Sequence, residues 1–162
     1  MKQDHLNMHK ILGIESWSHG STDYDKTGCH ANYFVNTDKL LSSVSLIKEK
    51  GFVLDDITGV DIQEGIMLIY HFDRFEWSER ISLRTIAGHA LKQVPSIVSI
   101  YSGADWHERE CFDFFGVEFE NHPNLKPLLL PDDLNIHPLL KEKNRKSLYT
   151  LIDFKLLTDN EI

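Results

Sequence analysis

The chain has 162 residues, which suits one compact domain with tails. Apolar residues make up 41% and charged residues 26%, a balance that reads as soluble and globular rather than disordered. A formal net charge of -8 argues against a main role in neutralising nucleic-acid phosphates or coating an acidic lipid surface. The longest apolar runs, "IMLIY" (66–70) and "LLL" (128–130), fall far short of the roughly 20 residues a spanning helix needs. Polar and acidic residues in "MKQDHLNMHKILGIES" leave no apolar core for a secretory leader, so the expected compartment is the cytoplasm. The two cysteines, Cys29 and Cys111, form no C-x-x-C and cannot ligate an iron–sulfur cluster by themselves. Both are expected to be reduced, at least one as a small buried apolar side chain.

Residues 1–28 carry His, Ser, Gly and Asp without a clear period and read as a short N-terminal helix followed by a loop. "HANYFVN" (30–36) has strand composition. In "TDKLLSSVSLIKEKGF", Leu40, Leu41, Val44 and Ile47 recur at helical spacing, Thr37 or Asp38 is placed to cap, and Gly51 ends the helix. "ITGVDI", "IMLIYHF" and "RISLRTI" read as three consecutive antiparallel strands. Gln63-Glu64-Gly65 makes the first turn on a positive-φ glycine, and "DRFEWSE" makes the second. Ile81, Leu83 and Thr85 alternate with Ser82 and Arg84, as in a half-exposed strand. Beyond Pro95, "SIVSIY" (96–101) is expected to be a further strand.

Ser102 and Asp105 fit a capping box at the head of a helix running to Phe115 and stopped by Gly116. "VEFE" is a brief extended piece. Pro123, Pro127, Pro131 and Pro138 then exclude a long helix or a central strand. The expected fold is α+β: a two-layer, mostly antiparallel (mixed) sheet with helices on one side and an extended proline-rich C-terminal arm. The expected organisation is an α+β domain over 1–121, with 1–28 as its N-terminal helix and loop, and an arm over 122–162.

The segment "ADWHERECFDFF" (104–115) carries the densest chemistry. Asp105, Arg109 and Asp113 fall on one helix face at i, i+4, i+8, so Arg109 is expected between two carboxylates. Apolar and charged residues alternate around the circumference instead of forming one stripe. This pattern suits a helix held between its own sheet and a partner chain, because interfaces favour aromatics and arginine. The competing reading is a stand-alone metal-dependent enzyme using Glu108, Glu110, Asp113 and histidines, with His107, Cys111 and His122 as a zinc-site variant. Arg109 among those carboxylates would compete for them and lower their pKa, the wrong direction for a general acid. The chain has no G-x-G-x-x-G, P-loop, H-E-x-x-H or nucleophile elbow.

"ERECFDFFGVEFENHPNLKPLL" (108–129) resembles the signature of the respiratory complex I 30-kilodalton subunit family. That family supplies a subunit of NADH–quinone oxidoreductase and has relatives in membrane-bound energy-converting nickel–iron hydrogenases. "LPDDLNIHPLLK" (130–141) is similar to the segment that follows in that family, and "VPSIVSIYSGADWHERE" leads into it in the same order. In this segment Leu134, Ile136 and Leu140 stand where the family has Trp, Gly and Arg, which leaves room for a hydrogenase or another relative.

The resemblance implies a subunit of the peripheral arm with no cofactor of its own. Iron–sulfur clusters, and flavin or nickel–iron, would then lie in partner subunits. The implied partners are the large subunit of the quinone or nickel–iron site and the iron–sulfur subunits. The membrane, on its cytoplasmic face, would be reached only through them. The signature positions are Trp106, Glu108, Arg109, Glu110, Asp113, Gly116, His122, Pro123, Lys126, Pro131, Asp132, Asp133, His137 and Pro138, with folding and docking roles and none in catalysis.

Overall fold

A computed structural model describes residues 13–131, 133–134, 136–142 and 144–151. The expected helix in the first dozen residues and the last part of the arm lie outside the described residues. Among the described residues the chain makes seven strands in two sheets. The strands are β1 (Ser18–Ser21), β2 (Ala31–Phe34), β3 (Val53–Ile62), β4 (Gly65–Arg74), β5 (Glu79–Ala87), β6 (Gln93–Pro95) and β7 (Glu118–Glu120). The helices are α1 (Tyr24–Thr27), α2 (Leu40–Glu49), α3 (Ala104–Phe115) and α4 (Leu148–Leu151). Among the described residues no helix is long and apolar enough to cross a membrane.

The main sheet has five strands in the order β1-β2-β5-β4-β3. Only the β2–β5 pair is parallel, so the sheet is mixed and mostly antiparallel, as the pattern of the sequence implies. The three strands β3, β4 and β5 form a meander because their turns are short. Ile62 pairs with Gly65 across Gln63-Glu64. Gly65 takes φ 156, and a Cβ there would meet the carbonyl oxygen of Ala87 at 2.3 Å. One sheet face carries Tyr33, Leu68, Tyr70, Phe72 and Leu83 against Leu40, Val44 and Ile47 of α2 and Ala104, Cys111 and Phe115 of α3. The other face carries a smaller cluster of Phe34, Ile62 and Met67, closed by Leu148. β6 and β7 form a separate parallel pair.

Several local expectations are corrected. Within 1–28 the described part holds a strand and one helical turn rather than plain loop; β1 forms because the β2 edge accepts an antiparallel partner. Neither Thr37 nor Asp38 caps α2 with its side chain; a 3-10 turn over Thr37–Lys39 leads into it and Leu41 is exposed. Ser102 does not cap α3, whose N-cap is Gly103 with no side-chain bond. β5 is not half-exposed, since it lies between β2 and β4 and Ser82 is buried in a hydrogen bond to Asn32. The expected strand over 96–101 is absent. The strand stops at Pro95, and Ser96 and Ile97 turn inward onto the Glu108 carboxylate.

Gly65→Ala should cost about 1–3 kcal/mol, through φ strain and the clash with the Ala87 carbonyl. The urea midpoint should fall with the slope unchanged. An unchanged midpoint would show that the β4–β5 edge relaxes around a methyl group.

Candidate docking site

The site is built on α3 and on what its polar side chains reach. Asp113 is buried, and its Oδ2 accepts the backbone N–H groups of Leu128 (3.1 Å), Leu129 (2.8 Å) and Leu130 (2.9 Å). Burial pushes the Asp113 carboxyl up. The three N–H donors and nearby His137 outweigh that and hold it below the ordinary aspartate range. Arg109 is not clamped between Asp105 and Asp113. Its Nε donates to the Lys126 carbonyl at 3.1 Å and its guanidinium Nη2 to the Pro127 carbonyl at 3.0 Å. The helical wheel misses this because the acceptors arrive from the arm rather than from the helix. Side by side, Arg109 and Asp113 read five consecutive residues of the arm, Lys126 to Leu130, the cation taking carbonyls and the anion taking amides.

The arm caps α3 in return. The last carbonyls of a helix have no intrahelical donor. Here Gly116 N–H satisfies Phe112 at 2.8 Å, His137 Nδ1 donates to Asp113 at 2.9 Å, and Leu139 N–H donates to Phe114 at 3.1 Å. Gly116 serves twice: it takes φ 70 to end the helix, and a Cβ on it would sit 2.6 Å from the His137 imidazole. The side chain of His122 is enclosed. Its Nδ1 accepts the Asn124 N–H at 3.0 Å, which leaves Nε2 as the donor, 3.3 Å from the Asp105 carbonyl.

Glu108 is the opposite of Asp113. It is fully buried, and its two oxygens accept from Ser96 Oγ (2.6 Å) and the Ile97 N–H (2.7 Å). Two hydrogen bonds do not offset its burial, and its pKa is pushed up to about 7, with the Asp105 charge adding to the rise.

Glu108 therefore points at the 96–97 turn, Asp113 at the arm and Glu110 at solvent, so the three carboxylates do not converge. Among the described residues no group of three or more His, Cys, Asp or Glu is placed to hold a metal ion. His107 and Cys111 line a groove from which His122 is absent. Both cysteines are free and buried, and burial pushes the Cys111 thiol up to about 12. Glu108, Glu110, Asp113, His107, Cys111 and His122 are thus not gathered at one point in the described residues.

Of the remaining signature positions, Trp106 is 67% exposed; Pro123, Lys126, Pro131, Asp133 and Pro138 are also at least partly exposed, and Asp132 lies outside the described residues. Further along, two residues not anticipated from the sequence take up the same task. Asp61, fully buried at the end of β3, accepts the Lys141 N–H at 2.7 Å and the Arg145 guanidinium at 2.9 Å. Glu64 accepts Ser147 Oγ at 2.6 Å and the Leu148 N–H at 3.0 Å. Burial acts upward on both carboxyls, yet these partners hold them below the ordinary range. The signal for Asp61 was its parity: it falls in phase with Ile57 on the core face, where an isolated charge needs partners. Glu64, in a turn, offered none.

Asp113→Ala should strand three amides and loosen the arm locally, by about 1–3 kcal/mol. Limited proteolysis between residues 125 and 140 should speed up while the domain still unfolds cooperatively; an unchanged cleavage rate would refute the clamp. Glu108 gives a pH signature. It is protonated folded and unfolded below its ordinary value of 4.5, so it costs nothing there; its ionisation penalty grows as pH rises and levels off above about 7. Glu108→Gln should abolish a loss of about 3 kcal/mol across that window. Asp113, with its lowered pKa, contributes stability that is lost only as pH falls below the ordinary aspartate range, so the two effects separate in a pH series of urea titrations.

Comparison with known proteins gives a consistent result. The profile of the respiratory-chain NADH dehydrogenase 30 Kd subunit matches residues 33–147. The chain is 38% identical over 112 residues to the C subunit of the Moorella thermoacetica NADH-quinone oxidoreductase, covering 67% of this chain and 76% of that one. It is 36% identical over 132 residues to the J subunit of the Prochlorococcus marinus NAD(P)H-quinone oxidoreductase, covering 75% of each. Among solved structures it superposes on a chain of the membrane-bound sulfane sulfur reductase, an archaeal respiratory membrane complex, with TM-score 0.72 and 26% identity over 96% of this chain and 93% of that one. The match to the family profile begins in β2 and ends just before α4, so it takes in most of the sheet, α3 and the arm that α3 holds, and the chain belongs to the 30-kilodalton subunit family of the respiratory-chain NADH dehydrogenase.

Proposed function

We propose that this chain is a structural and docking subunit, without a cofactor of its own, in the peripheral arm of a membrane-associated redox complex. That complex is an NADH–quinone oxidoreductase or a related energy-converting assembly. The chain packs on the large subunit, iron–sulfur subunits lie beyond, and it reaches the cytoplasmic face of the membrane only through them. Residues 1–121 act as the body and 122–162 as the arm that presents the contact surface.

One observation carries this reading. The two buried carboxylates of α3 are occupied inside the chain, Asp113 on the arm and Glu108 on the 96–97 turn, and the half-buried Arg109 is occupied on the arm as well. They are not directed at a substrate-sized cleft. Large apolar side chains are among those left facing outward. Trp106 stands exposed on α3, and Leu129, Leu134, Ile136 and Leu139 stand exposed along the arm. A backbone fixed by so many hydrogen bonds, with aliphatic side chains turned to solvent, suits a surface that another protein covers. Rigidity before contact reduces the ordering cost of binding.

Purification of the tagged chain from its native host should bring down a large subunit and iron–sulfur proteins. Trp106→Ala should weaken that assembly by about 2 kcal/mol or more if the indole is a central anchor, with no change in the unfolding midpoint of the chain itself. Complex yield on a native gel is the readout; full yield with the alanine variant would remove Trp106 from the interface.

A further inference from the structure

We infer that the outer edge of β3 is a docking strand for an extended segment of a partner chain that brings an apolar side chain and a lysine or arginine; the inference rests on the docking reading above. β3 is the terminal strand of the main sheet. Its two-residue hairpin makes Ile62 and Gly65 a hydrogen-bonded pair, and the pattern alternates from there. Val60 and Thr58 therefore turn both backbone groups toward β4, whereas Asp61, Gly59 and Ile57 turn theirs outward. The arm takes the near end of this edge: Gln63 N–H donates to the Lys146 carbonyl at 3.2 Å, and the Asp61 carboxylate holds Lys141 and Arg145. Further along, among the described residues, Gly59 has no outward backbone hydrogen bond, and the Ile57 carbonyl meets only the Cys111 thiol at 3.9 Å.

Long, regular strand edges are usually protected by charge, bulges or cover. β3 has such protection at its far end, where a register irregularity falls between Leu54 and Asp56 and Asp55 and Asp56 stand together. The stretch from Ile57 to Gly59 is regular and uncharged. It opens into a groove of about 360 Å³, lined by four consecutive β3 residues, Asp56 to Gly59. Four residues in a row alternate between the two faces, so the groove follows the edge itself. Its opposite wall is Cys111 and Phe114 of α3 and Leu139 of the arm, which form an apolar floor.

Charge selects the occupant. Glu110 lines the groove, is exposed, and has no ion pair among the described residues. Asp56 supplies a second carboxylate on the rim, bonded to His71 Nδ1 at 2.7 Å. A cationic side chain complements both. A second copy of this chain would set Asp55, Asp56 and Glu110 against like charges on a molecule of net charge -8. The occupant is therefore a strand of different sequence, added by backbone pairing, with an apolar residue over Phe114 and Leu139 and a cation beside Glu110.

Residue-resolved hydrogen exchange on the purified chain and on the assembled complex tests this. The amides of Ile57 and Gly59 should slow at least about tenfold on assembly, while those of Thr58 and Val60, already paired to β4, are slow in both. Glu110→Lys should reduce that protection and the complex yield, with the unfolding midpoint unchanged. A complex that forms with Ile57 and Gly59 still exchanging freely overturns this inference and leaves the docking reading intact. Concentration-dependent protection in the isolated chain assigns the edge to self-pairing and overturns it, as does protection that Glu110→Lys leaves untouched. A chain that assembles with no redox subunit overturns both readings.

Discussion

One carboxylate oxygen receiving three consecutive backbone amides is the constraint on which the C-terminal half of this molecule depends. A proline-rich segment cannot build its own ladder of hydrogen bonds, because proline lacks the donor and fixes φ. Between Pro127 and Pro131 the amides of Leu128, Leu129 and Leu130 would have to face water or go unmet. Asp113 collects all three on Oδ2, and Arg109, one helical turn earlier, collects the carbonyls just before them. The arm's backbone is thus satisfied by the side chains of a neighbouring helix. Its position is fixed relative to α3, and α3 is fixed relative to the sheet by Ala104, Cys111 and Phe115 in the core.

The same helix shows how hydrogen-bond supply decides the state of a buried carboxylate. Glu108 and Asp113 are five residues apart and both buried, yet their pKa values move in opposite directions. Asp113 has three amide donors on one oxygen and His137 nearby; Glu108 has one amide and one hydroxyl, with the Asp105 charge close by. Burial opposes ionisation at both sites, and only at Asp113 do the donors exceed it. One residue is therefore favoured as an anion, and in that form it organises the arm. The other is an acid near its midpoint at neutral pH, tethering the turn that interrupts the expected strand at 96–101.

What the sequence disclosed follows from what each signal measures. Strand-like runs between turn signals placed β3 and β4, alternation placed β5, and periodicity of 3.6 placed α2, because those residues bury against a continuous face. Gly65 and Gly116 marked their turns because only glycine takes those φ values cheaply. The family signature was visible in "ERECFDFFGVEFENHPNLKPLL". The partners of its polar members were not, because Arg109 and Asp113 bond to backbone groups 15 to 18 residues away, beyond any helical-wheel argument. "SIVSIY" has a strand's composition but turns inward, because a buried glutamate 11 or 12 residues downstream takes Ser96 and Ile97. Asp61 was legible by parity but hidden by its apolar neighbours.

The arm's attachment points form a series along the body: Asp113 takes residues 128–130, Asp61 takes Lys141 and Arg145, and Glu64 takes Ser147 and Leu148. Each is a carboxylate whose ionised form is favoured by amide, hydroxyl or guanidinium donors from the arm. Backbone pairing along the β3 edge would have held the arm as well, and at Gln63 it begins to. Anchoring by side chains instead leaves, among the described residues, the outward amides of Ile57 and Gly59 and the Gly59 carbonyl unspent, and it leaves Leu129, Leu134 and Ile136 of the arm exposed. An arm zipped onto β3 would have consumed the edge. Held at discrete carboxylates, it borders the edge as one wall of a groove, so the interactions that order the arm are also the ones that keep a strand edge open beside it.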